Sequence, residues 1–254
     1  MKKKFSFKGV QVQYLLEGKG EPLLMLHGWG GSKESFDDLK TILLKNFQLI
    51  IPDFPGFGES DDPKKAWEVS DYSECIQSLL DELEIKTPYV LGHSFGGRVI
   101  IKLASSQKDF FKKIVLCASA GIKPKKNLKK RVLYFIAKTG KFLFKVPGFK
   151  YFAEFARKVL YKIAKSGDYN KVSGVMRKTF LKVITENFEP LLKKIEKDTL
   201  VVWGDSDTVT PLVDGKRMHM LISGSKFVEI PGARHGLHHT HAEIVAREVL
   251  HFLR

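Results

Sequence analysis

A serine, a carboxylate and a histidine stand in this chain in settings that suit nucleophilic chemistry. Ser94 lies in Gly92-His93-Ser94-Phe95-Gly96-Gly97, Asp205 and Asp207 lie in Gly204-Asp205-Ser206-Asp207, and His235 lies in Gly232-Ala233-Arg234-His235. A serine hydroxyl attacks poorly until a base takes its proton, and an imidazole base works best when a carboxylate fixes its tautomer. A serine at the apex of a sharp strand-to-helix turn needs small neighbours, because the backbone there is strained. Gly92, Gly96 and Gly97 supply that room. The bland alternative is an ordinary serine in a glycine turn. The flanks decide between the two: Tyr89–Leu91 reads as a buried strand and Arg98–Ala104 as a helix whose N-terminus would favour negative charge beside the serine.

A second glycine-rich loop, His27-Gly28-Trp29-Gly30-Gly31-Ser32, follows the apolar run Leu23–Leu26. Such a loop brings a backbone N–H close to a ligand oxygen. The amides of Trp29 and Phe95 are therefore the candidate donors of an oxyanion hole. His27 reads as a packing and hydrogen-bonding residue of the loop. Asp53, in the stiff stretch Pro52–Ser60, reads as an acceptor for loop amides. His238, His239 and His241 crowd one stretch but have no carboxylate or cysteine partner in range, so they read as surface or helix-start residues. No metal and no cofactor is implied.

The elements that must position these residues alternate. Six short apolar runs, Leu23–Leu26, Phe47–Ile51, Tyr89–Leu91, Ile114–Ala118, Thr199–Trp203 and Lys226–Ile230, read as strands. Phe5–Phe7 and Val10–Leu16 alternate as strands do. Helical patterns cover Ser35–Leu44, Val69–Leu83, Gly97–Ser106, Leu212–Leu221 and Glu243–Leu253. This order predicts a mostly parallel sheet covered on both faces, with chemistry at the carboxyl ends of the strands. Trp29, Ser94, Asp207 and His235 all fall just beyond predicted strand ends.

The charge is uneven. The 254-residue chain carries a formal +15, and residues 121–200 hold 21 Lys and Arg against 6 Asp and Glu, while the remainder holds 22 of each. That shift predicts an inserted helical cap over residues 122–194, with the core formed by residues 1–121 and 195–254. Within it, Leu128–Lys138, Phe149–Lys165 and Val172–Thr185 read as amphipathic helices. Phe152 and Phe155 are candidates for the lining of a substrate pocket. Lys and Phe at helical spacing also suit weak contact with an anionic membrane, though a solvated Lys face over an apolar packing face is the simpler reading. Nucleic-acid binding is not expected, since no reading motif accompanies the charge. Cys75 and Cys117 match no metal spacing and read as reduced, packed thiols. Met1–Lys4 are not followed by an apolar signal segment, and no apolar run would span a membrane, so a cytoplasmic protein is expected.

Taken together, the His27–Gly31 loop, the Gly92–Gly97 turn, Gly204–Asp207 with Pro211, and Gly232–His235 resemble the α/β-hydrolase superfamily over nearly the whole chain. The resemblance implies an α/β-hydrolase fold and a catalytic order of Ser94, Asp207 and His235, with Asp205 as the lesser candidate for the acid. A serine at position 94 sets the chain apart from the haloalkane dehalogenases and epoxide hydrolases of this fold, whose nucleophile resembles an aspartate. The implied function is hydrolysis of small-molecule carboxylic esters of short to medium acyl chain. Carbon–carbon bond hydrolysis of vinylogous diketones and lactone hydrolysis are alternatives on the same residues. A ligand receptor or a membrane-surface protein using the basic block is the non-enzymatic alternative.

Overall fold

The computed structural model describes residues 2–123 and 174–254. Phe152, Phe155 and the helices expected over Leu128–Lys138 and Phe149–Lys165 lie outside the described residues. No helix among the described residues is long and apolar enough to cross a membrane.

Among the described residues eight strands form one sheet in the order β1-β2-β4-β3-β5-β6-β7-β8. They are β1 (Lys2–Phe7), β2 (Val10–Glu17), β3 (Glu21–Leu26), β4 (Phe47–Pro52), β5 (Tyr89–His93), β6 (Ile114–Cys117), β7 (Thr199–Gly204) and β8 (Lys226–Ile230). The first two strands are antiparallel to each other, and β2 is antiparallel to β4. From β4 to β8 every pairing is parallel. All six apolar runs are strands. β5, β6 and β7 are buried along their whole length, as strands covered on both faces must be.

Parallel register does the positioning. Leu26 pairs with Gly92, His93 with Cys117, Cys117 with Val202, and Gly204 with Ile230. The strands therefore end almost level, and the loops that follow β3, β5, β6, β7 and β8 emerge along one edge of the sheet.

Helices cover the two faces. The final helix, Ala242–Leu253, buries Ala242, Val245, Ala246, Val249, Phe252 and Leu253. That spacing makes one apolar stripe, and it packs into a core cluster with Leu39, Leu43, Leu49 and Ile51. The helix Phe95–Ser106 is buried over most of its length. Helices Gly174–Thr185 and Glu189–Leu192, from the stretch expected in the insertion, belong to the same compact unit as the sheet. The buried Arg98 is one anchor of that attachment. Its Nη1 donates to the carbonyls of Val183 (3.1 Å) and Glu186 (3.2 Å), and its guanidinium lies over the Phe188 ring. A cation at the C-terminal end of a helix meets carbonyls that have no intrahelical partner. Burial lowers the Arg98 guanidinium to about 10, which leaves it charged at neutral pH.

The loop after β4 is held by a buried ion pair. Lys33 Nζ lies 2.7 Å from Asp53 Oδ2, and both side chains are almost wholly buried. Asp53 also accepts the amides of Lys33 (2.6 Å) and Glu59 (2.9 Å). It is a loop-fixing acceptor. A side chain at Gly58, where φ is +56°, would run into that carboxylate at 2.3 Å. Removing one partner of such a pair strands a buried charge, which costs about 3–5 kcal/mol. Lys33→Met is therefore expected to lower stability by about that amount, read from the urea midpoint. The double variant Lys33→Met/Asp53→Asn should lose less than the sum of its two single changes.

Candidate active site

The turn after β5 carries the candidate nucleophile. Ser94 has φ +51° and ψ −109°, a conformation that non-glycine residues rarely hold. Its amide donates to the Cys117 carbonyl (3.2 Å), and its carbonyl accepts the amides of Gly97 (3.1 Å) and Ala120 (2.9 Å). Two glycines make the turn sterically possible. A Cβ on Gly96 would lie 2.1 Å from the Leu26 carbonyl oxygen, and one on Gly92 would lie 2.8 Å from the backbone of Gly96.

The structure brings Ser94, His235 and Asp207 together. Ser94 Oγ lies 3.1 Å from His235 Nε2, and His235 Nδ1 lies 2.8 Å from Asp207 Oδ2. With Nδ1–H directed at the carboxylate, Nε2 is free to accept the serine proton. Asp207 is buried and takes four donors. Oδ1 accepts the amides of Val209 (2.7 Å) and Thr210 (3.0 Å), while Oδ2 accepts His235 and the Thr210 hydroxyl (2.8 Å). Burial by itself would raise the carboxyl pKa. The bonds from His235, Thr210 and the Val209 amide outweigh it and hold the group below the usual carboxylate range. Asp205 has a different task. Its Oδ1 accepts the Gly232 amide (2.8 Å), and the Ser206 amide donates to Ala233 (3.0 Å), so the loops after β7 and β8 are tied together.

Two further residues belong to this assembly and escaped the sequence reading. Thr210 is one; its signal was the Asp-x-x-Thr spacing, which suits a side chain capping its own loop. The other is His93. Its Nε2–H donates to the His235 carbonyl at 2.9 Å, and its ring lies 4.8 Å from that of His235 and 3.9 Å from that of His238. His238, expected as a surface or helix-start residue, stands at a helix start and is buried, and its Nδ1 has no hydrogen-bond partner among the described residues. The reason is the short helix Leu237–Thr240, which turns Leu237 and His238 inward beneath the His235 loop.

In the loop after β3, His27 is fully buried. Its Nδ1–H donates to the Gly28 carbonyl (2.7 Å) and its Nε2 accepts the Phe54 amide (3.0 Å), which locks this loop to the one after β4. The Trp29 ring packs 4.8 Å from Phe57 and 5.4 Å from Phe95. The Phe95 amide opens the helix Phe95–Ser106, a position with no carbonyl one turn back within the helix. Among the described residues no group of three or more His, Cys, Asp or Glu side chains is placed to hold a metal ion. Cys75 and Cys117 are buried and free, and burial pushes both thiols up.

A family profile described as the alpha/beta hydrolase fold matches residues 21–242. The chain belongs to the α/β-hydrolase family. It is 24% identical to the uncharacterized hydrolase YugF of Bacillus subtilis over 99% of this chain and 97% of that one. It is 31% identical to Lipase 1 of Psychrobacter immobilis over 75% of this chain and 63% of the lipase. Among solved structures it is similar to the meta-cleavage product hydrolase of Pseudomonas fluorescens IP01, with a TM-score of 0.74, 22% identity, and coverage of 99% and 97%. That last likeness is one of fold.

Three buried imidazoles set an acid limit on this edge of the sheet. Burial drops His27 from 6.5 to about 4 and His238 to about 3, and carries His93 well below 6.5. The unfolded chain therefore binds protons that the folded chain refuses. Stability is full above the unfolded value of 6.5 and falls as pH drops from there toward about 3. Asp207 adds a further loss below its ordinary 3.8. The urea midpoint is expected to stay level above neutral pH and to fall across that window, at roughly 1.4 kcal/mol per pH unit for each proton taken up.

Proposed function

We propose that this protein is a serine hydrolase of carboxylic esters with short to medium acyl chains. The observation that carries the reading is the unbroken line from Ser94 Oγ through His235 to Asp207, with separations of 3.1 and 2.8 Å. Ser94 attacks the ester carbonyl while His235 Nε2 takes the hydroxyl proton. Asp207 holds His235 in the tautomer that leaves Nε2 free and stabilises the imidazolium that forms. The amides of Phe95 and Trp29 receive the oxyanion, and the N-terminus of the helix Phe95–Ser106 adds favourable potential there. His235 then returns its proton to the departing alcohol oxygen. The acyl group remains on Ser94 until a water, deprotonated by His235, releases it as the acid. The likeness to Lipase 1 supports an ester substrate over other bonds that the same residues could cleave.

An aryl phosphonate is expected to add one equivalent of mass to the peptide that contains Ser94, and Ser94→Ala should lose both the label and turnover of a chain-length series of aryl esters. Asp207→Asn should lower kcat by roughly 10⁴-fold, because it favours the wrong imidazole tautomer. Asp205→Asn should leave kcat far less affected. Label on another residue, or full ester activity in Ser94→Ala, defeats the mechanism. Labelling of Ser94 without turnover of any ester would redirect the reading to carbon–carbon bond hydrolysis, tested with a ring-cleavage dienoate.

A further inference from the structure

We propose that His93, the residue before Ser94, is a positioning residue that sets where the His235 imidazole stands relative to the serine. The proposal rests on the reading of Ser94 and His235 as nucleophile and base, and it follows from where the two histidines are mounted. His93 ends β5, which is bonded to a strand on either side, β3 and β6. His235 stands in the loop after β8, which closes the sheet and, among the described residues, pairs with β7 alone. The loop thus hangs from the edge, and the bond from His93 Nε2–H to the His235 carbonyl ties it to the centre of the sheet. The two residues are 142 apart in the chain. The same ring packs against those of both His235 and His238.

The side chain needed here has three properties. It must carry an N–H donor at the far end of a short side chain. It must present a flat face for the His238 ring at 3.9 Å. It must also stay uncharged, since a cation beside His235 would oppose the charge that His235 gains when it takes the serine proton. The titratable groups that face it are imidazoles, those of His235, His238 and His239, and burial keeps the His93 ring neutral. Gly28 of the loop after β3 leaves room for the ring, since a Cβ there would lie 2.9 Å from His93 Nδ1.

Three substitutions separate positioning from packing. Glutamine places an N–H donor as many bonds from Cβ as His Nε2, asparagine places one at the reach of Nδ1, and leucine has none. Two readouts are taken on each folded variant: the rate at which an aryl phosphonate labels Ser94, and the downfield Nδ1–H resonance of His235 in protein carrying nitrogen-15 histidine. His93→Leu and His93→Asn are expected to label roughly 10²-fold more slowly, the penalty typical of a base displaced by about 1 Å. Their His235 resonance should broaden or shift, and KM for aryl esters should hold while kcat falls. His93→Gln should return both readouts close to wild type. The proposal is overturned if His93→Leu labels at the wild-type rate with an unchanged resonance. It is equally overturned if His93→Gln is as slow as His93→Leu, which would leave the ring a packing role only. If the wild-type protein takes no label, the hydrolase reading fails on its own terms, and the resonance of His235 across the three variants still decides the role of His93.

Discussion

A serine held at φ +51° is the constraint around which the rest of this structure is arranged. That conformation carries a cost of about 1–3 kcal/mol and persists only where the surroundings overdetermine it. Here they do. β6 takes the Ser94 amide through Cys117, the segment just beyond β6 returns a bond through Ala120, and the helix behind the serine closes the turn through Gly97. The close approach of Gly96 to the β3 carbonyl at Leu26 then fixes how deeply that helix sits. The parallel register of the central strands is thus also the frame that keeps Ser94 strained and exposed to its partner.

The remaining polar groups at this edge are satisfied by linking one loop to the next. His27 joins the loops after β3 and β4, Asp205 joins those after β7 and β8, and Thr210 lies within reach of Asp207 and of the Ala118 carbonyl at the end of β6. Each link meets the demand that a buried donor or acceptor find a partner. Their joint effect is to hold Asp207 and His235 in register with a serine carried on a different strand.

Local pattern made the frame legible in the sequence. Six apolar runs gave six strands, and the glycines around Ser94 marked the turn, because burial on both faces and steric room leave their trace in adjacent residues. Asp207 and His235 could be nominated from their place beyond strand ends. The contributions of His93, His238 and Arg98 could not be read in this way. Each depends on contact between residues far apart in the chain: His93 with His235, and Arg98 with Val183 and Glu186. An arginine inside a helix reads as a solvated charge until the carbonyls it meets are known. A histidine at a helix start does not announce its burial until the ring it packs against is known. The charge excess marked a change in composition, yet charge alone did not reveal that Thr179, Val183 and Glu186 would be fastened to the core through Trp67, Arg98 and Val69.

The one-sided pairing of β8 has a consequence for how the molecule comes apart. Ser94 follows a strand paired on both sides, whereas the strand before His235 is, among the described residues, paired on one side, although Ala233 and Leu237 on either side of His235 are buried in the core. Proteins open in cooperative patches, and margins with partly exposed residues, such as Lys226–Glu229, are the first to go. The distance between serine and histidine is then only as durable as the weaker of their two supports.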